Sequence, residues 1–126
     1  MDSPFKKFQA AAYKLLHGVS NAPEISVEEL KALLDAGEEL QLLDVREAWE
    51  HEAAALPGAR LIPLMELPQR ASELDKSKPV VAYCHVGGRS ARATAFLRKS
   101  GFSRALNLAG GIDAWSERID PSVPRY

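Results

Sequence analysis

The chain has 126 residues, 46% apolar and 26% charged, a balance that suits one compact globular domain and excludes disorder or a collagen-like architecture. A formal net charge of −1 gives no bulk drive toward nucleic acid, and no apolar run is long enough to cross a bilayer. The single cysteine, Cys84, excludes an internal disulfide, a zinc site built on several thiols and a resolving thiol in the same chain.

Phe5, Phe8, Ala12, Leu15 and Leu16 share one face at helical spacing, which predicts a helix within residues 1–22 that Gly18 ends. It reads first as an extra helix packed on the domain and second as a docking helix for a partner or a membrane surface. The stretch is too short and too polar for a secretory leader, which points to the cytoplasm. Ser26 and Glu29 form a capping pattern, and Val27, Leu30, Leu33 and Leu34 supply the buried face of a helix that Gly37 stops. Residues 40–45 read as a strand with Asp44 and Arg46 at its end, followed by a short helix over 47–54. Pro57 and Gly58 mark a turn, 60–62 a second strand, and 64–74 one or two short helices interrupted near Pro68.

Val80–Tyr83 is a continuous apolar run, which suits a strand covered on both faces. It leads directly into Cys84. A helix over 89–100 follows, with Ala93, Phe96 and Leu97 inward and Gly101 as its stop; then come a strand over 105–108 and a last helix that Gly110 and Gly111 precede. This alternation predicts an α/β domain over residues 23–119 with a mainly parallel sheet. Residues 120–126 are set apart as a tail.

Charge is uneven. Ten acids stand between Glu24 and Glu52 against Lys31 and Arg46, whereas Lys76 to Ile112 holds seven basic residues and no acid. The positive segment surrounds Cys84. A strand end, a glycine-bearing loop and a helix start offer unpaired N–H groups and partial positive charge. Gly87 and Gly88 let those groups point inward, and Arg89 is expected to add a forked cation. Cys84 should therefore ionise more easily than a free thiol and act as a nucleophile toward an anion. Asp44 and Arg46, at the end of a strand beside that of Cys84, either shape the pocket rim or pair with each other. Trp49 and Trp115 read as core or rim aromatics. His17 and His51 lack the partners of a metal site, so no metal is expected.

Cys84-His85-Val86-Gly87-Gly88-Arg89-Ser90 resembles the C-x-x-G-x-R-[ST] active-site loop of rhodanese-like sulfurtransferases. Leu42 to Glu47 resembles the family's LLDVRE segment, Pro57-Gly58-Ala59 with Ile62-Pro63 its PGAxxIP turn, and Gly101-Phe102 with Leu108 to Ile112 and Trp115 its closing GF…LxGGixxW segment. The match runs from about Ile25 to Trp115. It implies a three-layer sandwich with a central, mainly parallel sheet flanked by helices. It implies sulfur transfer from an anionic donor such as thiosulfate, through a Cys84 persulfide, to cyanide, a thiol or a protein. His85, Val86, Gly87, Gly88, Arg89 and Ser90 would hold the donor and the terminal sulfur, with Asp44 and Arg46 in support. No cofactor is implied.

Two positions depart from the family pattern. Ala54-Ala55-Leu56 stands where many members have Gly-His-Ile. His85 stands where some thiosulfate-active members carry a cation; it is either a pH-dependent helper or an exposed loop side chain. A persulfide relay or a binding module with little thiosulfate activity is the alternative, the N-terminal helix being then a place for a partner contact. A cysteine phosphatase or arsenate reductase fits less well, because their loop resembles C-x5-R, one residue longer than the spacing from Cys84 to Arg89, and needs a general acid.

Overall fold

A computed structural model describes residues 22–126, so the expected N-terminal helix lies outside the described residues. Within them, the strands β1 (Glu24–Ile25), β2 (Gln41–Asp44), β3 (Arg60–Leu61), β4 (Val80–Tyr83) and β5 (Ala105–Leu108) form one sheet in the order β1-β5-β4-β2-β3. Every pairing is parallel. The α-helices are α1 (Val27–Asp35), α2 (Ala48–Ala53), α3 (Leu67–Arg70), α4 (Gly88–Lys99) and α5 (Gly111–Arg118), with 3-10 turns at Leu64–Glu66 and Ala71–Glu73 on either side of α3.

Alternation along the strands divides the core in two. Leu43, Val80 and Ala82 pack with Ala93 and Leu97 of α4 and with Phe102. Leu42, Val81, Tyr83 and Leu106 pack on the opposite face with Val27, Leu30 and Leu33 of α1 and Ile112 and Trp115 of α5. These are the three layers of the sandwich. All four residues of β4 are buried, as a strand covered on both faces requires.

Several local expectations change. Leu34 is exposed: the stripe that buries Leu30 and Leu33 leaves it at the edge of the helix face. Phe96 is only half-buried, and Ser90 and Thr94 take inward positions on α4 instead. Pro68 does not interrupt a helix but lies in the first turn of α3, where its missing N–H has no intrahelical partner to lose. β1 has no periodicity to read because it is two residues long; its register, Glu24 against Asn107 and Ile25 against Leu108, comes only from its neighbour.

β2 and β4 are adjacent, and the chain leaves them in opposite directions, from β2 out to β3 and from β4 to β5. In parallel sheets the crevice beyond the carboxyl ends of two such strands is where ligands bind. Asp44 pairs with Tyr83 at those ends, which puts Cys84 next to Val45, one residue beyond each strand.

Candidate active site

Cys84 is almost wholly buried at the base of the loop that joins β4 to α4. Its Sγ accepts hydrogen bonds from the Gly87 N–H at 3.1 Å and from the Ser90 hydroxyl at 3.3 Å. Burial pushes the thiol up, but the Ser90 hydroxyl and the amides of Ser90, Gly87 and Arg89 outweigh it and bring it below its usual value. The Gly88, Arg89 and Ser90 amides open α4 and have no carbonyl within the helix to pair with. Gly87 carries them into place with a φ of 123°, a backbone angle that side chains rarely tolerate. The loop is braced from behind by α5, whose Ile112 and Asp113 amides donate to the Cys84 and His85 carbonyls at 3.0 and 3.1 Å. Gly111 begins that helix rather than preceding it, and a Cβ there would run into those same two carbonyls.

The backbone donors expected around the cysteine are in place, whereas the Arg89 fork is committed to another partner. The Arg89 fork grips Glu50 of α2, with Nη1 to Oε2 at 2.7 Å and Nη2 to Oε1 at 2.9 Å. Glu50 also accepts from the Glu47 amide and the Tyr126 hydroxyl, both at 2.9 Å. A buried carboxylate needs such partners, and it captures the nearest guanidinium. The Arg89 hydrogen bonds, against a smaller contrary effect of burial, hold Glu50 down at about 2. Arg89 still feels charge on Cys84, which favours its cationic form.

Asp44 and Arg46 pair with each other beneath the loop. Arg46 is wholly buried and does not reach a rim. Its Nε and Nη2 donate to Asp44 at 2.8 and 2.7 Å, Nη2 also to the Ala54 carbonyl at 2.5 Å, and Nη1 to the Tyr126 hydroxyl at 2.8 Å. His51 Nδ1 and the Tyr83 hydroxyl complete the shell of Asp44 at 2.8 and 3.2 Å. Burial raises Asp44, yet the Arg46 and His51 hydrogen bonds leave it below the ordinary carboxylate range.

The loop's outer surface is formed by Val86, His85 and the stem of Arg89. His85 stacks on Tyr126, with ring centroids 4.4 Å apart and 25° between planes. Trp49, 63% exposed, meets the same tyrosine edge-on at 5.9 Å. Trp115 belongs to the core. Glu50, Asn107 and Tyr126 escaped the sequence reading. Asn107 is a buried amide inside an apolar strand, and that misfit was its signal: its Oδ1 lies 2.5 Å from the Ser90 hydroxyl and shares that group's one proton with the Cys84 sulfur, and its Nδ2 donates to the Gly87 carbonyl at 3.2 Å. Tyr126, in a segment read as a tail, gave no signal. Among the described residues no group of three or more His, Cys, Asp or Glu could hold a metal ion, and no helix is long and apolar enough to cross a membrane.

The family model of the rhodanese-like domain matches residues 26–118. A sulfurtransferase of Allochromatium vinosum is 40% identical over 100 residues, covering 79% of this chain and 94% of that protein. A putative sulfur carrier protein of Bacillus subtilis is 40% identical over 101 residues, 80% of this chain but 55% of that protein. The chain spans about half or less of the length of the first curated relatives it matches. The human single-domain sulfurtransferase superposes with a TM-score of 0.67 at 34% identity, covering 77% of this chain and 97% of that one.

Proposed function

Because the chain belongs to the rhodanese-like sulfurtransferase family, we propose that it carries sulfur on Cys84. The Cys84 thiolate attacks the outer sulfur of an anionic donor such as thiosulfate. The donor's S–S bond breaks, sulfite leaves with the electron pair, and a Cys84 persulfide remains. An acceptor (cyanide, a thiol or a protein) then attacks the terminal sulfur, and the electron pair of the persulfide bond returns to Cys84 as thiolate. The cycle balances without an oxidant, a metal or an organic cofactor.

The observation that carries this reading is the cradle around Cys84 Sγ, where N–H and O–H donors converge on the sulfur at the head of α4. The same donors suit an anionic persulfide. His85, Val86, Gly87, Gly88, Arg89 and Ser90 form its pocket, and Asp44 and Arg46 support the floor. Two relatives' names, a putative sulfur carrier and an adenylyltransferase/sulfurtransferase, favour protein partners as donor or acceptor, so a relay between proteins is the second reading. A lone unpaired thiol suits a reducing compartment, and we place the protein in the cytoplasm.

Intact mass tests the reading. Incubation with thiosulfate should add one sulfur atom, cyanide should remove it, and Cys84→Ser should add none. A folded parent protein that gains nothing from thiosulfate or from a protein persulfide, while Cys84 still alkylates, would overturn it.

A further inference from the structure

The segment after α5 does not trail away from the domain. Val123 is buried in the α1–α5 side of the core, and its carbonyl accepts from the Ser116 hydroxyl. Asp120 and Ser122 close a turn, with the Ser122 amide and hydroxyl both on Asp120 Oδ1. Arg125 forks onto Asp113 of α5, with both bonds at 3.0 Å. These anchors lie in α5 and the core, Asp113 itself bracing the cysteine loop through the His85 carbonyl, and they bring Tyr126 to the side of the loop. There the ring lies flat on His85, the residue next to Cys84. Its hydroxyl accepts from Arg46 and donates to Glu50, the carboxylate that holds Arg89 at the other end of the loop. Trp49 closes the outer edge of the ring.

We propose that Tyr126 is a specificity-determining residue: stacked on His85 and backed by Trp49, it walls one side of the approach to Cys84 and makes the site prefer slender acceptors over bulky thiols. The proposal rests on the sulfur-transfer reading for its acceptors, but the wall itself does not. Cys84 is 1% exposed, so a reactant has to pass the side chains that surround it. Of the loop's outer side chains, His85 is covered on one face by Tyr126, and Arg89 is tethered to a carboxylate that Tyr126 also binds. A linear anion such as cyanide is narrow enough to slip past. A tripeptide thiol such as glutathione has to place a branched chain where the Tyr126 ring stands. Steric discrimination of this kind in a fixed pocket is of the order of tenfold or more.

The test compares the parent with Tyr126→Ala and Tyr126→Phe. Two ratios are read: kcat/KM for glutathione over cyanide with thiosulfate as donor, and the alkylation rate of Cys84 by a fluorescein maleimide over iodoacetamide. Tyr126→Ala should raise both ratios about tenfold, through a lower KM for glutathione relative to cyanide. Tyr126→Phe keeps the ring and should keep both ratios, which separates the wall from the lost hydroxyl. Ratios unchanged in Tyr126→Ala, in protein that is folded at the assay temperature, would overturn the proposal. If the parent takes up no sulfur at all, the function reading fails, and the alkylation ratio still decides whether Tyr126 is a wall.

Discussion

Arg46 and Arg89 each face a buried carboxylate, and they meet it in different ways. Arg46 is wholly inside, with every side-chain nitrogen engaged and Asp44 enclosed by Arg46, His51 and Tyr83. Arg89 stands on the loop with its side chain 37% exposed and only its two terminal nitrogens on Glu50. The first pair is closed, and a closed network fixes a backbone: it pins the end of β2 beneath the cysteine. The second is open to water on one side. One residue joins them, because the Tyr126 hydroxyl binds Arg46 and Glu50 together. A charged pair that is fully enclosed is shielded from solvent, whereas the same kind of pair at a loop edge keeps its cation partly in water.

The largest way to break this comparison is Asp44→Ala. It leaves Arg46 buried without its carboxylate, and such a loss costs about 3–5 kcal/mol. Urea unfolding should show it as a lower midpoint at unchanged slope. Arg89→Ala should cost less, about 1–3 kcal/mol, because Glu50 keeps the Tyr126 hydroxyl and the Glu47 amide. Sulfur loading from thiosulfate should nevertheless slow about a hundredfold, the usual scale for losing one preorganised cationic or donor contact. A large loss of stability from Arg89→Ala with loading intact would reverse the roles assigned to the two arginines.

The smallest effect is in acid. Glu50 titrates at about 2 in the folded protein against a reference of 4.5, so between these values unfolding takes up a proton. The depressed value means that the Glu50 contribution is complete above about pH 4.5 and is lost as pH falls toward 2. Glu50→Gln should therefore flatten the acid limb of the stability curve in that window. Asp44, held below its ordinary range by Arg46 and His51, should leave a residual slope. An acid limb identical in the parent and in Glu50→Gln would show that the Arg89 pair contributes nothing to folding.

The layered fold was legible because its signals are local. The apolar run at Val80–Tyr83, the Ser26–Glu29 capping box and the stops at Gly37 and Gly101 each act within one turn or strand, and each reappears where the spacing put it. The cysteine loop was legible for the same reason: Cys84, Gly87, Arg89 and Ser90 lie within seven residues, and a strand end with a helix start brings their groups together. What failed concerned partners distant along the chain. The Arg89 fork was expected on the anion, and Glu50, 39 positions away, holds it. Tyr126 reaches Arg46 across 80 positions.

By itself, then, the sequence determined the α/β class, the strand-loop-helix around Cys84 and the character of that loop as a nest of amides, since backbone geometry and short spacing suffice for these. Only the tertiary structure decided which carboxylate each arginine would take, how Asn107 ties the Ser90 hydroxyl to the Gly87 carbonyl, and that residues 120–126 fold back to the mouth of the site. Those outcomes depend on burial. A polar group removed from water bonds to whatever donor or acceptor the packed core brings within about 3 Å, and that choice is made in space, after the strands and helices are in place.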